Sequence, residues 1–559
     1  MKHFIVFCFF FLLCFSIAEA QTFADIPGPE NVLLVYKQPS GPTDTLGRVS
    51  DSVMNYYQNA RNIPASNILG LDNLVNATIY DSVSQTEHYI KLTQSGEIIK
   101  DTNNQYTWSP TIHSWIYFNE KIVKPIRSHL LNTYVNGTQL KDIIRFIVLC
   151  KGVPYRIEAR KESGDGCRNN VPIDGLLNII GETFNDEDAI LDFYYPTTFS
   201  QFQFAYTLPN PYFNADPSYN MAHHFLPNSY SAQITDQSTI NFLNRNSITI
   251  SYLVSHLDGF SYEDITGMID RSIDALHADG YDWLIDADPT PDGGGSVMIA
   301  QASATENSLS NLGFHNYKFD YLTDTILVNY YKPIMSYSSN GTHTTLGGYS
   351  APRYFEPDYI QSQLEFEYAP GAVFNTAESF NATTIGSSNP IPRRDGQGQI
   401  PEFFLMGGTV GVGHAYEPKP ENMVKDYIMI PAYQLGYSFI EAAYLGMPNL
   451  TTENVVVGDP LCTIVWGKQT LPDSIVFEST NLIAGELNIT GNAAIINNGA
   501  ALRFKHNGFI TGEGYLISQD REYTLETTNW NKSVFKSKYD NHPMIIWAPY
   551  PGEEIANTY

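Results

Sequence analysis

Four carboxylates, Asp282, Asp286, Asp288 and Asp292, fall in one stretch interrupted by Pro289 and Pro291 and closed by Gly293, Gly294 and Gly295. Carboxylates so close repel one another unless water or a hard cation separates them, and calcium takes roughly six to eight oxygens from a flexible loop. Asp286, Asp288 and Asp292 are the candidate metal ligands, with a solvated acidic turn as the alternative, because the spacing of Asp288 and Asp292 departs from the usual calcium loop. No other cofactor is expected. His414, Tyr416 and Glu417 set an imidazole, a phenol and an acid at the end of one apolar segment, where they are expected to line a binding pocket. Lys151 ends another apolar segment, and its ammonium can neutralise a ligand or a neighbouring carboxylate. Asp258 precedes Gly259 and a helical stretch, so it either contributes to binding or caps that helix. His223 and His224 are adjacent and point apart, which reads as surface. Gly407, Gly408, Gly411 and Gly413 lack the downstream Lys-Ser or Lys-Thr of a phosphate loop and read as sites of close strand packing.

Such residues need elements to position them. Residues 32–36 and 143–150 are continuous apolar runs, each followed by a turn, and a helical stretch spans about 48–62. Further apolar segments at 248–254, 281–285, 326–330, 335–338, 372–376 and 409–412 read as buried strands. Between them, residues 263–278 carry Ile265, Met268, Ile269, Ile273, Ala275 and Leu276 at helical spacing, so one stripe faces a sheet. Continuous apolar strands alternating with helices predict an α/β fold, a mainly parallel sheet with helices on both faces. Residues 194–230, rich in Phe, Tyr, Pro and Asn, read as a surface insertion. After residue 468 short alternating segments punctuated by glycines predict a small β module at 469–559. The expected division is therefore a signal peptide at 1–20, an α/β region at 21–245, a second at 246–468, and that module.

The signal peptide is read from Lys2 and His3, an apolar run at 4–17 and Ala18-Glu19-Ala20 before Gln21, a run too short to span a bilayer comfortably. It predicts a secreted, periplasmic or cell-surface protein with no transmembrane segment once the signal is removed. The chain has 559 residues and a formal net charge of -27. Acidity spread along a chain disfavours binding to a phosphate backbone, so nucleic acid is excluded as a partner. Cys150, Cys167 and Cys462 remain after signal removal, at spacings unsuited to a zinc cage. One disulfide between Cys150 and Cys167 and buried free thiols are the alternatives.

Residues 31–36, 61–64, 151–154, 253–259, 268–271, 407–418 and 457–461 together resemble a family of uncharacterised exported bacterial proteins, over nearly the whole chain up to about residue 467. That resemblance brings no activity with it. The C-terminal half of the main region also resembles the gingipain group of cysteine peptidases, which share the caspase-like α/β fold. Those enzymes set a His-Gly pair after one central strand, a Cys after the next, then a glycine-rich strand, a helix containing Glu-Ala and a Gly-Asp-Pro turn. Residues 334–341, 372–379, 407–413, 441–444 and 458–460 occupy these places in order. The two decisive positions differ: Asn340 stands where a His would precede Gly341, and no Cys lies between Thr342 and Gly458.

A thiolate-imidazole peptidase needs a polarisable nucleophile and a base, and neither is in register. Ser379 is the hydroxyl nearest the nucleophile position, and His343 follows Asn340 by three residues. The resemblance thus implies an exported scaffold that binds a peptide, a glycan or an envelope component through Tyr337, Asn340, Gly341, His414, Tyr416 and Glu417, with Lys151 and Asp258. The alternative is a hydrolase of peptide or ester substrates that uses Ser379 and His343 with Glu378 or Glu417. Parallel strands are expected to bring Tyr337, Glu378 and Tyr416 to a common rim.

Overall fold

The computed structural model describes residues 27–465 except 83, 94, 104–110, 159–170, 195–207, 216–223, 236, 276–280, 288–292, 313, 321–326, 342–357, 388–396, 417, 419 and 452, and beyond 465 it describes strands alone. The expected signal peptide, Asp288, Asp292, His343, Glu417 and Cys167 lie outside the described residues.

The first half contains β1 (Val32–Lys37), α1 (Thr45–Arg61), β2 (Ile68–Leu71), β3 (Ala77–Asp81), β4 (Thr86–Thr93), β5 (Ile98–Asp101), α2 (Ile112–Phe118) and α3 (Lys124–Asn132). A short hairpin of β6 (Tyr134–Val135) and β7 (Thr138–Gln139) precedes β8 (Phe146–Cys150), β9 (Arg156–Glu158), β10 (Val171–Pro172) and α4 (Asp174–Asn178). Then come β11 (Tyr230–Gln233), α5 (Gln237–Leu243), β12 (Ser247–Ile250), β13 (Leu253–Leu257), α6 (Tyr262–Ile273), β14 (Trp283–Asp286), α7 (Gly293–Asn311) and β15 (Tyr317–Asp320). The last part holds β16 (Ile334–Ser339), α8 (Tyr359–Ser362), β17 (Tyr368–Thr376), α9 (Ile400–Leu405), β18 (Val410–His414), α10 (Asp426–Gln434), α11 (Phe439–Gly446) and β19 (Asn454–Val457).

Ten of these strands form one sheet in the order β15-β14-β16-β17-β18-β19-β13-β8-β1-β2. Neighbours from β15 to β18 and from β13 to β2 run parallel, whereas β19 is antiparallel to β18, with Gly411 opposite Val457 and His414 opposite Asn454. β19 meets β13 through the single pair His256 and Val457. Every residue of β8, β13, β14 and β16 is buried, as strands covered on both faces must be. The protein is thus an α/β protein with a large, mainly parallel sheet flanked by helices.

Local chemistry explains the helix that follows β13. Ser261 caps α6 by accepting from Asp264 N at 3.1 Å, and Asp264 returns the bond to Ser261 N at 2.9 Å, a reciprocal box that satisfies two orphan donors. Ile265, Met268 and Ile269 turn inward as their spacing predicts. Three expectations change. Residues 327–330 are not a strand. Leu208, Tyr212 and Phe225, in the stretch read as a surface insertion, are buried, because Asn210 anchors it through Nδ2 to the carbonyls of Tyr444 and Met447, both at 2.8 Å. His224 is buried rather than superficial, its Nδ1 3.0 Å from Glu441 of α11. Of the two alternatives for the cysteines, the structure has the buried free thiol at both Cys150 and Cys462.

A second, five-stranded sheet, β10-β9-β5-β4-β3, is built from first-half strands. The C-terminal strands fall into three parallel sheets: Gln469–Leu471, Glu486–Ile489 and Phe509–Thr511; Ile475–Phe477, Ala493–Ile496, Tyr515–Ser518 and Phe535–Ser537; Asn481–Ile483, Leu502–Phe504, Leu525–Glu526 and Ile546–Trp547. From 469 to 526 successive strands visit the three sheets in rotation, so the described strands stack in the order expected of a parallel solenoid.

Candidate functional site

Where β16, β17 and β18 end, their next residues turn into one another. Ala377 N donates to Ser339 O at 2.8 Å, and Ala382 N donates to His414 O at 2.9 Å. Glu378 sits between them, fully buried. Its Oε2 accepts from Tyr359 OH at 3.1 Å and Thr376 Oγ1 at 2.9 Å, and its Oε1 accepts from Gly398 N at 3.0 Å. Tyr337 OH lies 3.5 Å from Tyr359 OH. Burial and the Glu378 charge hold both phenols well above their ordinary pKa, so they act as neutral donors. Gly341 has φ +56°, and a Cβ there would lie 2.2 Å from Glu378 Cδ; only glycine lets the loop close over that carboxylate.

His414 is fully buried, and its Nδ1 donates to Glu378 O at 2.9 Å. Burial lowers its pKa to about 4, outweighing the carbonyl hydrogen bond that favours the charged ring. At neutral pH the ring is therefore uncharged, with Nε2 left as a bare acceptor. That Nε2 and both amide atoms of Asn340 are buried without a hydrogen-bond partner, a costly state for polar atoms. Asn340 N meanwhile is fixed to Asp286 O at 3.1 Å. Asn381, not taken as a site residue from the sequence, holds the arrangement together: Nδ2 donates to Thr376 Oγ1 at 2.8 Å, and Oδ1 accepts from His414 N at 2.5 Å. Phe380 and Tyr416 pack edge to face at 5.3 Å beside it.

The chain leaving this cluster, residues 382–387, reaches the ends of β8 and β13. Tyr155 OH contacts the carbonyls of Ala382 and Thr383, both at 2.7 Å. Lys151 Nζ donates to Asp258 Oδ1 and to the carbonyls of Gly259 and Gly386, each at 2.8 Å. Its ammonium therefore neutralises a neighbouring carboxylate, and Asp258 anchors Lys151 while Ser261 caps the helix. Glu97, also missed in the sequence, accepts from Thr384 Oγ1 at 3.0 Å. Burial first, then the Asp258 charge, pushes its pKa up to about 8. No local pattern marks Glu97, whose surroundings come from β8, β13 and residue 384.

Ser379 is half-buried, next to Glu378; its expected partner His343 and the pocket residue Glu417 lie outside the described residues. Asp286 is buried at the end of β14, and its Oδ2 accepts from Leu327 N at 2.9 Å; Asp288 and Asp292 are not described. The structure thus gathers Tyr337, Asn340, Gly341, Glu378, His414 and Tyr416 around one turn of chain and ties Lys151 and Asp258 to its far end. A solvent-open recess of about 570 Å³ beside Glu182, Asp192, Arg245 and Thr249 shares no residue with this rim. Its Arg245 is paired with Glu182 at 2.8 Å.

Among solved structures, the complex of Porphyromonas gingivalis RgpB pro- and mature domains is similar at 15% identity and a TM-score of 0.24, over 41% of this chain. The chain spans 62% of the length of that neighbour. At that score the likeness is loose, and the α/β assignment stands on the strand order. No family model and no curated protein matches the chain.

Proposed function

We propose that this chain is an exported binding scaffold whose rim, formed by residues 339–341, 376–387 and 414–416, holds an uncharged hydrogen-bonding stretch of an extracellular or envelope partner, peptide or glycan, without cleaving it. The observation that supports this is the set of unsatisfied atoms beside Glu378: the Asn340 amide, a donor and an acceptor, and His414 Nε2, an acceptor. A peptide group or a sugar hydroxyl would supply the complementary donor and acceptor, reaching these buried atoms only when the turn at Asn340-Gly341 opens. A base whose pKa burial lowers to about 4 takes a hydroxyl proton poorly, which favours binding over chemistry. No helix among the described residues is long and apolar enough to cross a membrane.

A serine hydrolase is the second reading, favoured by the half-buried Ser379 beside Glu378, with His343 as base and Glu378 or Glu417 in support. Against it, both Glu378 oxygens already accept hydrogen bonds.

Peptide and glycan arrays test the binding reading. The mature chain should retain a restricted set of ligands, and Asn340→Leu should weaken binding about tenfold, the loss of ~1.4 kcal/mol, without lowering thermal stability. Equal binding by wild type and Asn340→Leu, or retention of no ligand, contradicts it.

A further inference from the structure

The five-stranded sheet carries a second cluster, which shares no residue with the rim. β3 and β4 pair antiparallel with Ile79 opposite His88 and Asp81 opposite Thr86, so Asp81 and His88 are diagonal neighbours on one face. β5 brings Asp101 opposite Ile90, two residues on from His88 along β4. Over that face lies α2, capped by Thr111, whose Oγ1 accepts from Ser114 N at 3.3 Å and donates to Asp101 Oδ2 at 2.8 Å. The first turn of α2 contributes His113.

The rings of His88 and His113 stack face to face, with centroids 3.5 Å apart and planes 12° from parallel. His88 Nδ1 is 2.7 Å from Asp101 Oδ2, the carboxylate-imidazole contact that fixes a metal ligand's tautomer and makes Nε2 the ligating atom; that Nε2 lies 3.1 Å from Thr86 Oγ1, a contact an ion would displace. His113 Nε2 lies 3.4 Å from Asp81 Oδ2. His113 is 7% exposed, and its Nδ1 is buried with no hydrogen-bond partner. One ligand atom each from Asp81, His88 and His113 lie within 4.8 Å of one another.

We propose that Asp81, His88 and His113 bind a divalent ion of the zinc class, with Asp101 orienting His88 from behind. Two imidazoles and one carboxylate select such an ion over calcium or magnesium, which prefer oxygen donors throughout. Bonds of ~2.0–2.1 Å require the three atoms to draw inward and the two stacked rings to tilt from their 12° near-parallel arrangement, so that both in-plane lone pairs meet one ion. The side chains of Asp81 and His88 are 22% and 17% exposed, which leaves a side open for water as a fourth ligand. The ion would clamp the β3-β4 hairpin to α2, an ordering task separate from the rim.

The test is titration of the chelator-treated full chain with Zn²⁺, and with Co²⁺ as a visible probe. One equivalent should bind, Co²⁺ should show the intense absorption of a tetrahedral N/O site, and the melting temperature should rise. His88→Gln and Asp81→Asn, at the more exposed positions, should each weaken binding at least tenfold while circular dichroism shows a folded chain. The absence of a stoichiometric site in the wild type, or a site that survives in the His88→Gln, Asp81→Asn double variant, overturns the proposal.

Discussion

At the scale of single residues, His414 makes the most measurable statement about the rim. Its ordinary pKa is 6.5 and its folded value is about 4, so between these values the unfolded chain takes up a proton that the folded chain refuses. The contribution to stability is full above pH 6.5 and is lost as pH falls toward 4, at ~1.4 kcal/mol per unit. Unfolding free energies at pH 7 and pH 4.5 should therefore differ by a few kcal/mol more in the wild type than in His414→Leu; equal pH dependence in the two would contradict a buried, neutral ring. His414 and Tyr416 were picked out in the sequence because they follow an apolar segment, and Gly341 because it holds the place of a glycine in the order of features resembled; their common place around Glu378 comes from the strand ends. Asn381 and Glu97 were not, since each derives its role from partners far along the chain: Asn381 from Thr376 and His414, Glu97 from Thr384 and the Lys151-Asp258 pair.

At the scale of elements, the Gly-Asp-Pro turn after β19 ties the sheet to α1. Asp459 is fully buried and accepts from Tyr57 OH and Arg61 Nε, both at 2.7 Å. Asp459→Asn keeps the shape and removes the charge, stranding a largely buried guanidinium. Breaking one partner of such a pair costs about 3–5 kcal/mol, so the denaturant midpoint should fall by that equivalent with an unchanged slope. A loss under about 1 kcal/mol would show that the contact is dispensable. Strands such as β1 and β8 were legible because burial on both faces demands a continuous apolar run, whereas the run at 248–254, read as one strand, divides between β12 and β13 in two different sheets. The antiparallel sense of β19 was not, because a central strand's direction leaves no mark on Asn454-Val455-Val456-Val457. Nor was the docking of residues 208–215 and 224–225, where Leu208, Tyr212 and Phe225 pack through irregular backbone anchored by Asn210 and Glu441.

At the scale of the whole molecule, strands from before and after residue 245 share one sheet, so the ends of β8, β13, β16, β17 and β18 are linked through residues 376–387. The position of Asn340 before Gly341 and the saturation of Glu378 leave that linked rim with hydrogen-bonding capacity but a poor base among the described residues. Turnover is the most direct test of a rim that binds without cutting. Mature wild type, Ser379→Ala and His343→Ala should all leave peptide and ester substrate libraries intact, at rates equal to buffer. Hydrolysis by the wild type that disappears in Ser379→Ala would contradict the account and install the serine hydrolase in its place.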